Sequence, residues 1–93
     1  MKPLDSLLTN PLRLGAMSLL IKLKSASFVY LKEQLNATQG NLSVQLNRLK
    51  DADYIRIEKR FEGNYPLTEV KMTPTGIQAF ETHVHNLKDY LHL

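Results

Sequence analysis

The sequence predicts a mainly α chain completed by one β-hairpin, an α+β fold. Three observations predict it. First, Asn10-Pro11 and Thr73-Pro74 each mark a helix start. A side-chain oxygen caps free N–H groups there, and proline tolerates the first helical position. Second, only Asn36, Ala37 and Thr38 separate two apolar-periodic segments, and so short a turn forces two helices to cross steeply. Third, Tyr54–Phe61 and Leu67–Met72 alternate apolar with polar residues around a turn-rich Glu62–Pro66, the pattern of two paired strands.

Taken in order, Leu4, Leu7 and Leu8 suit one short apolar helical turn. The first long helix spans 10–24. Leu12, Leu14, Met17, Leu19, Leu20, Ile21 and Leu23 surround most of its axis, which marks a central core element. Ser25-Ala26-Ser27 reads as a break, with Ser27 capping a second helix, Phe28–Leu35. Phe28, Leu31 and Leu35 recur three and then four apart. Asn36 tolerates the left-handed backbone that ends helices. Thr38 caps a third helix, about Gln39 to Asp51, with Leu42, Leu46 and Leu49 on its inner face. The helix pair with its turn covers 27–52.

The hairpin covers 54–72. Ile55, Ile57 and Phe61 share an apolar face that Lys59 interrupts, and Arg56, Glu58 and Arg60 lie opposite. Its loop should be of moderate length. Thr68, Val70 and Met72 oppose Glu69 and Lys71 on the second strand. The last helix, 73–92, carries Ile77, Phe80, Val84, Leu87 and Leu91 at alternating steps of three and four, a short heptad seam. Repeats, linkers and low-complexity segments are absent, and 93 residues predict one domain, 1–93.

Composition narrows the function classes. The longest apolar region, Leu14–Leu23, is interrupted by Gly15, Ser18 and Lys22, and falls short of the roughly 20 residues that span a bilayer. MKPLDSLL lacks the apolar core of a secretion signal. The absence of cysteine removes disulfides, thiol catalysis and thiolate zinc sites, and fits a cytoplasmic location. Net charge is +3 with a pI of about 9.3, which permits a polyanionic partner. Most of that excess lies in residues 1–24, where Lys2, Arg13, Lys22 and Lys24 face Asp5 alone. Catalysis finds no support: there is no glycine-rich phosphate loop, no nucleophile beside a base, and no paired carboxylates in an apolar setting. No cofactor is expected.

Helix, helix, helix, hairpin, helix is the layout of a winged helix. The segments NPLRLGAMSLL (10–20), FVYLKEQLNATQGNLSVQLNRLKDADYIRIEKRFEGNYP (28–66) and MTPTGIQAF (72–80) resemble the small single-domain winged-helix transcriptional regulators related to the MarR and ArsR groups. The resemblance covers essentially the whole chain. It implies a winged helix-turn-helix with a long C-terminal dimerisation helix, binding duplex DNA as a homodimer. One departure stands out. The family's wing tip usually carries several basic residues, whereas this chain has Glu62-Gly63-Asn64-Tyr65-Pro66-Leu67. Such a tip supplies no cation to a narrow minor groove. It either touches phosphates through Asn64 and Tyr65 or merely completes the sheet.

The third helix carries the candidate reading face. Opposite its leucines lie Gly40, Ser43, Val44, Asn47, Arg48 and Asp51. Asparagine can pair with adenine, arginine with guanine and serine with several bases, while valine can meet a thymine methyl. Ser43, Val44, Asn47 and Arg48 are therefore the candidate base contacts. Gln39 and Asn41 at the helix start, with Lys32, Arg56, Lys59 and Arg60, are the candidate backbone contacts. Leu4, Leu7, Leu8, Ile77, Phe80, Val84, Leu87 and Leu91 are the candidate dimer seam; the alternative is packing of the heptad on the first helix, but that helix already has an apolar surround and a chain this short has little core left to bury the seam. Nothing in the sequence marks an effector pocket, although a dimer crevice near Tyr30, Phe80 and Tyr90 could exist, and a small-molecule effector is unknown. His83, His85 and His92 lack a metal-binding spacing and read as solvated helix histidines. The alternative function is a winged-helix protein-interaction module that does not bind DNA.

Overall fold

A computed structural model describes residues 2–93. A 3₁₀ turn, Ser6–Leu8, leads into α1 (Pro11–Leu23), β1 (Ser25–Ser27), α2 (Phe28–Gln34), α3 (Gln39–Asp51), β2 (Ile55–Glu62), β3 (Tyr65–Met72) and α4 (Pro74–Tyr90). The four helix starts follow the capping chemistry of the sequence. Asn10 accepts from Leu12 N and Arg13 N, Ser27 from Tyr30 N, Thr38 from Asn41 N and Thr73 from Gly76 N. The helix ends are marked by positive φ at Lys24, Asn36, Asp53 and His92, where left-handed backbone turns the chain away.

Leu8, Ala16, Met17, Leu20, Leu31, Leu42, Leu46, Leu49, Ile55 and Val70 form the buried core. Alpha 1 contributes three of these and lies against α3, α4 and the sheet. The central position expected of it holds, but Leu23 remains largely exposed.

Three features differ from expectation. Ser25–Ser27 is a strand, not a break: Ser25, Ala26 and Ser27 pair antiparallel with Lys71, Val70 and Glu69. The sheet is therefore three-stranded, ordered β1-β3-β2. The hairpin loop has only two residues, Gly63 and Asn64, because Tyr65 and Pro66 already pair with Glu62 and Phe61. Gly63 has φ +64 at the first central position, which a two-residue loop of primed type requires. Proline is tolerated at 66 because β1 reaches only as far as Glu69, leaving that end of β3 without a second neighbour. Phe61 shares the parity of Ile55 and Ile57 but lies beyond the core and is exposed.

The N-terminal segment is tied down by polar contacts. Asp5 accepts from Leu7 N through Oδ1 at 2.9 Å and from Tyr54 Oη through Oδ2 at 2.6 Å. Its own N–H donates to His83 Nδ1 at 3.2 Å, and Asn86 Nδ2 donates to Pro3 O at 3.4 Å. Burial first, then the hydrogen bond to Asp5 and its negative charge, push the Tyr54 phenol up to about 12. His83 is only 2% exposed, so it is a buried acceptor and not a solvated histidine. His85 lies on the exposed side as expected.

Candidate nucleic-acid interface

Leu42, Leu46 and Leu49 fix the inner face of α3 in the core. Its start is set by the Thr38 cap and by the turn before it, where Ala37 N donates to Lys32 O at 3.0 Å and Asn36 takes φ 50. Three leucines and a cap thus leave little freedom in how α3 is presented.

The opposite face is open. Val44 is 50% exposed, Asn47 and Arg48 are exposed, and Ser43 is half-buried. Asn47 and Arg48 make no side-chain hydrogen bond or ion pair among the described residues, so their donors and acceptors are available to a partner. A Cβ built at Gly40 meets nothing within 4 Å. Gln39, Ser43, Leu46 and Asn47 form one wall of a cleft of about 260 Å³, and Ile57, Lys59 and Thr68 of the hairpin form the other. Phe28 closes it beside the start of α2. The structure therefore brings Gln39, Ser43, Asn47 and Lys59 together around one concavity, with Val44 and Arg48 on the neighbouring exposed surface.

One positioning group escaped the sequence reading. Arg13 of α1 donates through Nε to Leu7 O at 2.6 Å and through Nη1 to Gln45 Oε1. Gln45 Nε2 in turn donates to Asn41 Oδ1 at 3.1 Å. These bonds couple the first turn of α3 to α1 and to the N-terminal segment. Arg13 belongs to the basic N-terminal part, yet it acts as a brace.

The hairpin divides its charges between two faces. Lys59, opposite Thr68, lies on the cleft side with Ile57–Val70 and Phe61–Pro66. Arg56, Glu58, Arg60 and Glu62 alternate onto the outer side. There Arg60 pairs with Glu69 at 3.2 Å, and Lys71 with Glu58 at 3.2 Å and Glu69 at 3.6 Å. The expected cationic trio is split: Lys59 faces the cleft, while Arg56 and Arg60 face away from it. Lys32 is half-buried near the end of α2.

The expected dimer seam is also rearranged. Leu8 is fully buried in the chain's own core and has no surface to offer, which removes it from the seam. Leu4 and Leu7 are half-buried, as are Phe80, Val84 and Leu87, while Ile77 and Leu91 are exposed. Alpha 4 packs on α1, and Ile21, Phe80 and Val84 line an apolar groove between them, bordered by Glu81, His85 and Lys88. Among the described residues no group of three or more histidines and carboxylates is placed to hold a metal ion. Among them, too, no helix is long and apolar enough to cross a membrane.

The sequence profile of the winged helix DNA-binding domain matches residues 12–91. The chain belongs to that family. A second comparison fits: an uncharacterized protein of Methanocaldococcus jannaschii is 32% identical over 75 residues, covering 81% of this chain and 82% of the relative. Among solved structures, a transcriptional regulator homologue from Pyrococcus horikoshii superposes with a TM-score of 0.89 at 27% identity, covering 95% of this chain and 87% of that one. The YusO protein of Bacillus subtilis shares the fold, with a TM-score of 0.79 at 17% identity over 88% of this chain and 57% of that one. The winged helix here thus has α2 and α3 as its helix-turn-helix pair and β2–β3 as its wing. Its family is that of a winged helix DNA-binding domain, and its fold is that of a transcriptional regulator homologue.

Proposed function

We propose that this winged helix binds duplex DNA sequence-specifically as a homodimer and regulates transcription by occupying an operator. The observation that carries this reading is the exposed face of α3, where Ser43, Val44, Asn47 and Arg48 stand free beside the cleft. Arg48 pairs with guanine, Asn47 with adenine, Ser43 with an adjacent base edge, and Val44 meets a thymine methyl. Gln39 and Asn41 offer polar groups at the helix start, where the dipole favours phosphate. Lys32 and Lys59 hold phosphates on either side. Arg56 reaches the backbone from the wing's outer face, as does Arg60 after releasing Glu69.

The second copy is supported by the apolar seam. Ile77, Phe80, Val84, Leu87 and Leu91 leave apolar surface outside the chain's own core, and Leu4 and Leu7 extend it. A two-fold dimer through α4 presents two α3 helices about one DNA turn apart, on a pseudo-palindromic site.

The test is a selection of bound sequences from a random duplex pool, followed by affinity measurements across a salt series. Lys32, Arg56 and Lys59, which neutralise phosphates without giving up an internal carboxylate as Arg60 must, supply three net phosphate contacts per protomer and six per dimer. Affinity should then fall about a thousandfold between roughly 50 and 200 mM salt. The recovered sequences should share an inverted repeat. Recovery of no consensus, or salt-insensitive binding, refutes the reading and favours a protein-interaction module.

A further inference from the structure

The brace beneath α3 has a direction. Arg13, Gln45 and Asn41 form a chain in which each side chain donates to the next. A guanidinium carries only donors and stays protonated, so it can face nothing but an acceptor. Its Nε is fixed on Leu7 O at 2.6 Å, and that turn is held in its own right by the bond from Leu7 N to Asp5 Oδ1. Gln45 must therefore turn Oε1 to Arg13 and Nε2 away from it. One helical turn earlier, Nε2 donates to Asn41 Oδ1 at 3.1 Å, within the ordinary reach of amides four residues apart. Asn41 must in turn keep its carbonyl inward. Its Nδ2 group has no partner among the described residues, and the residue is exposed. Turning either amide over would set two donors against each other. Charge is also left over. Among the described residues no carboxylate pairs with Arg13, so its positive field acts at the start of α3.

We propose that Arg13 and Gln45 are positioning residues for DNA binding: the donor-only guanidinium sets the polarity of both amides, so that Asn41 presents N–H groups, and not a carbonyl, to a backbone phosphate. The proposal rests on the reading of α3 as the helix that docks on duplex DNA, with Asn41 among its backbone contacts. Phosphodiester oxygens accept hydrogen bonds and never donate them, so an outward carbonyl at Asn41 would face them with the wrong sign. An asparagine free to turn would also give up side-chain freedom on binding, whereas one already held by Gln45 gives up less. Gln45 is half-buried with both ends of its amide engaged, which makes it a link and not a contact of its own. Asn47 on the same helix is exposed and has no such partner, so it can still offer a donor and an acceptor together, as pairing with adenine requires. The two asparagines are thereby sorted between phosphate and base.

The test uses the full chain and a duplex recovered by its own selection, at one fixed salt concentration. Asn41→Ala, Gln45→Glu and the double variant are compared with the parent. In Gln45→Glu the new carboxylate still accepts from Arg13, so the brace and the thermal melt should be kept. Its second oxygen accepts from Asn41 Nδ2 and turns the Asn41 carbonyl outward. The added charge weakens binding whatever stands at 41, so the polarity effect is the difference between the two backgrounds. Asn41→Ala alone should weaken binding about fivefold per half-site, the net worth of one hydrogen bond. Gln45→Glu should weaken it about fivefold more in the parent than in the Asn41→Ala background. Arg13→Met removes the first donor and should show the same kind of excess, about twofold, from the side-chain freedom regained by Asn41. Replacing phosphates one at a time by uncharged methylphosphonates should find a position in each half-site to which the parent is sensitive and Asn41→Ala is not. Equal losses in both backgrounds would overturn the positioning role and leave the docking of α3 standing. A Gln45→Glu variant with a changed preference at one base pair assigns Gln45 to a base edge and also overturns it, as does the lack of any phosphate position specific to Asn41. Failure of the parent chain to bind any duplex overturns both readings.

Discussion

Replacing Gly76 by alanine should destabilise the protein although the site is helical. In an open helix the change is favourable by about 0.5–1 kcal/mol, because alanine loses less backbone entropy on folding. Here the added Cβ would lie 2.0 Å from the carbonyl oxygen of Tyr54, 2.9 Å from its carbonyl carbon and 3.1 Å from its Cα. These are backbone atoms, so no rotamer change relieves the overlap. The start of α4 and the start of β2 must separate by about an ångström to restore an ordinary van der Waals distance. That separation stretches the bonds that join them: Thr73 N to Tyr54 O at 3.1 Å and Thr73 Oγ1 to Asp53 O at 2.6 Å. Overpacking of this kind costs about 1–3 kcal/mol, and each weakened hydrogen bond adds about 1 kcal/mol. A net loss of about 2–4 kcal/mol follows, which lowers Tm by about 10–20 °C for a domain of this size. Thermal melts at one fixed protein concentration measure it, since the proposed dimerisation would make Tm concentration-dependent. A Gly76→Ala variant as stable as the parent would refute the packing argument.

Three further outcomes are expected. Asn10→Ala removes the acceptor for Leu12 N and Arg13 N and should cost about 1–2 kcal/mol in denaturant melts, whereas Asn10→Ser should recover most of it. Tyr54 holds its proton more tightly folded than unfolded, at about 12 against 10.0, so its stabilising contribution is complete below pH 10 and is lost as pH rises through 12. Tyr54→Phe should therefore be less stable than the parent at neutral pH and should lose less stability over that alkaline window, read by melts at stepped pH. Val84→Glu, on the half-buried seam of α4, should convert a dimeric mass in light scattering to a monomeric one while the helical signal is retained.

The parts of the fold legible in the sequence are those decided locally. Asn10, Ser27, Thr38 and Thr73 announce helix starts because a cap acts within three residues of itself. Leu42, Leu46 and Leu49 announce the inner face of α3 because helical periodicity needs no partner to be seen. The parts that were not legible depend on distant segments. Ser25–Ser27 is too short and polar to show alternation, and becomes a strand only because β3 lies alongside. Phe61 has the right parity for the core, but parity does not say where the core ends. Gly76 reads as an ordinary helix-start glycine until the Tyr54 carbonyl is placed against it.

The candidate site divides in the same way. The residue types on α3 suggest base contacts because their order along the helix sets which side they face. The roles of Arg13 and Arg60 were hidden, since both engage internal partners, Gln45 and Glu69, that lie 32 and 9 residues away. His83 reads as solvated from helical position alone. Its burial follows from the N-terminal segment folding back over α4, where the Asp5 N–H finds it as an acceptor. Charge counted by segment therefore does not say which cations face the cleft: Arg13 keeps its charge but is held by neutral partners, and Lys59 is the cation that the cleft itself presents.

The central claim is that the exposed face of α3 reads base edges. It is tested most directly by measuring the Arg48→Ala variant against a selected duplex and a set of single base-pair replacements. The expected result is a loss of about 1–3 kcal/mol confined to one G·C position in each half-site, with discrimination at that position relaxed and the other positions unchanged. Undiminished affinity with the same base preferences as the parent would contradict it.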